Sequence, residues 1–258
     1  MISGLYKKLK IPFTLPDNPS TVPLQPGIYH RVLGDKFNRS YGAESFNSYI
    51  GYTIDPTGRL NDSDGKVVAG TRFAPVVSKK GKIIPTLYLA STDRAAYGEI
   101  LVRAKSQKQI TYKQISVLER VTIDLNCSLT MLNMVSPFIN ENVTNPFSVT
   151  EAKLIHSTER YYRETCRFAS EVHQKYQNIQ GIHWFSRQER NNSVVVLFGD
   201  RLNKDCLRHI DSFSAISPEE MQIWAPDAAR NKVVPDHDLL QYMHATLPDI
   251  GNYPDWRW

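Results

Sequence analysis

Four side chains in this sequence set polar or charged groups into apolar surroundings: Glu99, Arg72, Arg31 and Ser186. Glu99 poses the sharpest question. The stretch TLYLASTDRAAYGEILVRAK (86–105) opens as a strand and continues as a helix from about 93 to 105, with Ser91 or Thr92 as its cap. On that helix Ala95, Ala96 and Val102 stand at i−4, i−3 and i+3 from Glu99, the small apolar face a helix presses on a sheet. A carboxylate on such a face costs free energy unless something pairs with it. Either the face is less buried than it looks, or Glu99 has a task. Arg31 in IYHRVL and Arg72 in GTRFAPV lie within strand-like runs. Each reads as an exposed strand position or an ion pair. Together they read as a pair converging on an anion, since the planar guanidinium binds phosphate oxygens bidentately. Tyr88 precedes Glu99 by one strand and turn, so both can face one cleft; alternatively it is a core aromatic whose hydroxyl finds a partner. Ser186 ends the strand GIHWFS; no GxSxG surrounds it, so a hydrolase elbow is not indicated.

The elements that must position these residues follow from period and punctuation. GIYHRVL (27–33), GTRFAPV (70–76), IIPTLYLAS (83–91), VLERVTIDL (117–125), GIHWFS (181–186) and SVVVLFG (193–199) read as strands. Residues 1–26 form an irregular, proline-rich lead-in, and 34–70 a long loop with at most one short strand, SYIGYTI. Residues 126–150 read as loop. A helix is expected over 151–177, where Tyr161, Thr165, Phe168, Val172 and Tyr176 make one stripe beside a charged ladder of Glu164, Arg167, Glu171 and Lys175. Short helices are expected near 217–224 and 236–246. The sum is an α+β chain: one catalytic domain over 27–200 and a C-terminal extension, 201–258, packed on it.

Composition narrows the field. With 31 Lys+Arg against 26 Asp+Glu the net charge is +5, and the basic residues are scattered rather than gathered into a stripe, so direct nucleic-acid binding is not expected. Cys127, Cys166 and Cys206 are odd in number and far apart, which argues against a disulfide scaffold and for a reducing, cytoplasmic setting. No apolar run approaches the roughly 20 residues of a membrane span, and the N-terminus shows no signal peptide. No metal site is expected: the seven histidines include no HExxH, and His237 and His244 beside Asp236 and Asp238 read as solvent-exposed polarity. No glycine-rich phosphate loop is present.

YHRVL with Arg31, GTRFAP with Arg72, TLYLASTDRAAYGE with Tyr88 and Glu99, and GIHWFSRQERNNSVVVLF with Ser186, taken in that order, resemble the RES-domain family, toxins of bacterial toxin–antitoxin pairs. The resemblance covers roughly 27–200. It departs from the family in reading Thr71-Arg72-Phe73-Ala74 where members often have Gly-Arg-Trp-Asn, and in its long loop at 34–70. It implies a fold like the ADP-ribosyltransferases, a mixed or antiparallel β core with flanking helices, and an attack on NAD. Members degrade NAD, some using inorganic phosphate as co-substrate, and at least some transfer ADP-ribose to a protein. No permanently bound cofactor is implied; NAD is the substrate. The implied partner is an Xre-type helix-turn-helix antitoxin that blocks the cleft.

Under that resemblance Glu99, Arg72 and Ser186 are the catalytic residues, and Arg31, Arg72, Tyr88 and Ser186 bind NAD or phosphate. Glu99 stabilises the positive charge that grows on the ribose as the nicotinamide bond breaks. Arg31 and Arg72 hold the pyrophosphate or the attacking phosphate. Tyr88 packs on the nicotinamide or its ribose, and Ser186 hydrogen-bonds the ribose or the phosphate. Two rival expectations are a protein mono-ADP-ribosyltransferase on the same fold and a non-catalytic nucleic-acid- or partner-binding module.

Overall fold

The computed structural model describes residues 15–34, 46, 52–54, 60–61, 63–68, 71–93, 95–96, 99, 110–111, 118–134, 154–155, 162–186, 192–214 and 233–234. The strands in chain order are β1 (Thr21–Leu24), β2 (Gly27–Gly34), β3 (Thr53–Ile54), β4 (Leu60–Asn61), β5 (Val67–Val68), β6 (Val76–Val77), β7 (Ile83–Ile84) and β8 (Thr86–Ala90). They continue as β9 (Ile110–Thr111), β10 (Leu118–Leu125), β11 (Leu129–Asn133), β12 (Gly181–Phe185), β13 (Ser193–Phe198), β14 (Leu207–Ser214) and β15 (Val233–Val234). Helix α1 spans Tyr162–Lys175. Residues 93, 95, 96 and 99 are also helical and belong to the helix that carries Glu99.

Eight strands form one mixed sheet in the order β1-β11-β12-β13-β8-β2-β10-β14. Only β11 and β12 run parallel, joined through α1; the other neighbours are antiparallel. The chain is α+β. The apolar run of β13 is explained by burial on both faces: Val194, Val196 and Phe198 enter one hydrophobic cluster, Val195 and Leu197 the other. The first cluster packs β12, β13 and β8 against α1, the Glu99 helix and the segment 73–84. The second holds Tyr29, Leu33, Leu87, Leu89, Val121, Ile123 and Leu125.

Three strands of this sheet run through segments whose sequence reads as irregular. β1 lies in the proline-rich lead-in and tolerates Pro23 because it is an edge strand, paired on one side only with β11. β11 lies in the stretch expected to be loop. β14 is the opposite edge, and its alternation is hidden by the exposed Arg208, His209 and Ile210. Divisions at 26/27 and 200/201 therefore cut across one continuous sheet. Proline breaks two expected strands by withholding a ladder donor: Pro85 separates β7 from β8, and before Pro75 the chain makes a tight turn, Thr71–Ala74, instead of a strand. Of the expected strand SYIGYTI, Thr53–Ile54 is β3, in a small sheet with β4 and β5. The helices expected near 217–224 and 236–246 lie outside the described residues.

The cysteine expectation is also overturned. Cys127 and Cys206 form a disulfide, with Cα atoms 5.3 Å apart. The register explains it: Leu125 of β10 faces Leu207 of β14, so the residues just beyond those ends meet, and the Asn126 amide donates to the Cys206 carbonyl at 3.0 Å. A separation of 79 residues gave no local sign of this. Cys166 lies outside the disulfide, and the cysteines no longer argue for a reducing compartment.

Candidate active site

Arg72 leaves the sheet from the tight turn, where the Thr71 amide donates to the Ala74 carbonyl at 2.7 Å. Helix α1 grips this segment along one face. Cys166 Sγ donates to the Thr71 carbonyl at 3.4 Å, the Val77 amide donates to Ser170 Oγ at 2.9 Å, and Gln174 Nε2 donates to the Val77 carbonyl at 2.7 Å. The same helix shows the stripe read from sequence, with Thr165, Phe168 and Val172 buried. Arg167 bridges Glu164 and Glu171 at 3.0 and 2.9 Å, and Lys175 turns away to Asp17. On the other side Tyr88 of β8 meets the turn: its hydroxyl accepts from Thr71 Oγ1 at 2.8 Å and from the Phe73 amide at 2.9 Å. The rings of Phe73 and Tyr88 stand edge-on to Trp184, with centroids 5.0 and 6.2 Å away.

The Glu99 helix starts at Thr92, whose Oγ1 accepts from the Ala95 amide at 3.2 Å. Ala95 and Ala96 are buried in the first cluster, as their spacing predicts, and Glu99 is buried with them at 8% exposure. Its carboxylate is paired on both oxygens. Arg72 Nη1 donates to Oε2 at 3.3 Å, and Ser186 Oγ, just past β12, donates to Oε1 at 3.2 Å. Arg72 is 3% and Ser186 2% exposed. Three segments 27 and 87 residues apart along the chain thus converge on one carboxylate.

Arg31 is placed elsewhere. Side chains alternate along β2, and Arg31 shares its face with Tyr29 and Leu33, both in the second cluster, opposite Val121. Tyr88 and Trp184 belong to the first cluster on the other face. The expected convergence of Arg31 and Arg72 is not what the pleat produces; Arg31 is buried on its own side of the sheet. The residue before it does face the Glu99 helix. His30 Nδ1 pairs with Asp93 Oδ1, and Arg120 Nη1 donates to Asp93 Oδ2 at 2.5 Å. Burial pushes the Asp93 carboxyl up, but His30 and Arg120 outweigh it and hold the group below the usual carboxylate range. This cluster anchors the first turn of the Glu99 helix. Its signal in the sequence was an acidic residue just inside a helix start. Thr71, the other residue the sequence did not single out, carried no such signal.

A family model described as RES domain matches residues 41–215. The chain belongs to the RES domain family. The match takes in the Arg72 turn, the Glu99 helix, Ser186 and all of β14, and begins beyond β2. Among solved structures, the RES domain here is similar to a chain of the M. tuberculosis MbcT-MbcA toxin-antitoxin complex. The two are 16% identical, with a TM-score of 0.45 over 77% of this chain and 88% of that one. No curated protein matches. Among the described residues no group of His, Cys, Asp and Glu is arranged to hold a metal ion, and no helix is long and apolar enough to cross a membrane.

Proposed function

We propose that this RES domain is an NAD-consuming toxin that breaks the nicotinamide–ribose bond. The observation that carries the reading is the Glu99 carboxylate, buried and held on both oxygens by Arg72 and Ser186. As nicotinamide leaves with the C–N bonding pair, positive charge develops on the ribose. A carboxylate already oriented in a water-poor site stabilises that charge without having to reorganise. Arg72 holds Glu99 in place, and its guanidinium is a cation of this site for the phosphates of NAD or for an attacking phosphate. Ser186 orients the carboxylate and lies within the same group for contact with the ribose. An oxygen of water or inorganic phosphate then bonds to the ribose carbon, and the attacking oxygen gives up its proton to solvent. No resident cofactor is needed for these steps. Membership in the RES family supports a toxin role and a cognate antitoxin, Xre-type by the family resemblance, that covers the cleft in the cytoplasm where NAD is available.

The test is Glu99→Gln in the purified full chain. Loss of one preorganised electrostatic contact is expected to slow NAD consumption about 10²–10³-fold. Equal rates for variant and parent would remove Glu99 from the chemistry. Mass identification of the product with and without phosphate separates phosphorolysis from hydrolysis. A protein carrying ADP-ribose would instead point to the transferase reading, which the same carboxylate serves.

A further inference from the structure

We propose that Tyr88 is a positioning residue of the Glu99 centre: its hydroxyl sets the turn that presents Arg72, and it acts through Arg72 rather than by packing on nicotinamide. The inference rests on the proposed function for its kinetic test and on geometry alone for its structural one. Tyr88 lies on β8, held between β13 and β2 in the middle of the sheet, so its backbone is a rigid base. Its ring is braced edge-on by the fully buried Trp184. The hydroxyl that this bracing fixes in space accepts two hydrogen bonds, at 2.8 and 2.9 Å, from the residues on either side of Arg72. Thr71 and Phe73 are thereby located to within a hydrogen bond, and Arg72, between them, has its backbone set from both sides. Helix α1 clamps the same turn through Cys166 and Val77, which leaves Tyr88 to supply the sheet-side contact. The Arg72–Glu99 contact is already long at 3.3 Å, so a small tilt of the turn would break it.

A stacking tyrosine and a positioning tyrosine respond differently to loss of the hydroxyl. Phenylalanine keeps the stacking ring and its packing on Trp184; it removes the hydroxyl that accepts the Thr71 and Phe73 hydrogen bonds. Tyr88→Phe is therefore expected to lower kcat by about 10- to 100-fold, since misplacement of a group by about 1 Å costs that much. Thr71→Val, which removes one of the two donors, should lower it in the same direction by less. Coupling identifies the route: in an Arg72→Lys background, Tyr88→Phe should add little, because residues acting through one another are not additive. A hydrogen-exchange measurement reads the turn without any enzymology. The Phe73 amide should exchange at least tenfold faster in Tyr88→Phe than in the parent, while amides of β13 are unchanged.

An unaltered Phe73 amide, or full activity of Tyr88→Phe, overturns the inference, as does a loss that is simply additive with Arg72→Lys. If the parent chain consumes no NAD, the functional reading fails instead, and the exchange measurement still decides the role of Tyr88.

Discussion

The Arg72–Glu99 pair can be tested without reference to catalysis, by removing first one charge and then both. At 3.3 Å and an effective dielectric near 20, the attraction between unit charges is about 5 kcal/mol. Most of that offsets the cost of taking the two groups out of water, since their side chains are only 3% and 10% exposed. Arg72→Met leaves the carboxylate buried without its cation, and Glu99→Met leaves the guanidinium without its anion. Breaking such a pair costs about 3–5 kcal/mol; Ser186 continues to donate to Glu99, so Arg72→Met should fall at the low end, about 3 kcal/mol. At about 2–4 °C per kcal/mol, that is a fall of about 10 °C in Tm. The double variant Arg72→Met/Glu99→Met replaces both charges with apolar side chains of similar length and should return to within about 1–2 kcal/mol of the parent. Urea unfolding at constant m-value reads all four proteins. A double variant as unstable as the sum of the two singles would refute the coupling, and with it the claim that Arg72 and Glu99 offset one another's burial.

Two further outcomes follow from other parts of the fold. The disulfide closes a loop of 79 residues, and chain entropy assigns such a link about 4 kcal/mol; reductant should lower the unfolding midpoint of the parent but leave Cys127→Ser unchanged, and a parent indifferent to reductant would refute the link. His183 is buried beside Ser193 Oγ at 2.8 Å, and burial pulls its pKa from 6.5 down to about 4. Its folded pKa lies below the unfolded value, so its contribution is complete above pH 6.5 and is lost as pH falls toward 4, at about 1.4 kcal/mol per pH unit within that window. His173 is shifted the same way, first by burial and then by Arg201. His183→Gln should flatten the dependence of unfolding free energy on pH between 6.5 and 4, and an unchanged slope in urea titrations would contradict the assignment.

The sequence reveals the centre more readily than its frame. Glu99, Arg72 and Ser186 stand out because each breaks a local rule, a charge or hydroxyl where an apolar residue belongs, and such breaks gather where a protein has a site. Arg31 broke the same kind of rule, yet a pleat of period two sends it to the far face, and only the pairing of β2 with β10 and β8 fixes which face that is. The GTRFAPV segment misleads because its apolar content suggests a strand while Pro75 forbids one. β14 hides because an edge strand with one wetted face looks like a polar loop, and β11 because its partners, β1 and β12, are remote in sequence. The Cys127–Cys206 bond depends on that same long-range register.

The strand order has a consequence for when activity can arise. Ser186 follows β12, Tyr88 sits on β8, and the backbones of these two strands are joined in the sheet through β13, which the ribosome makes after both. Until residues 193–198 have been synthesised and inserted, the strand that joins these two in the sheet is missing, so Ser186 and Glu99 are brought together late in the making of the chain.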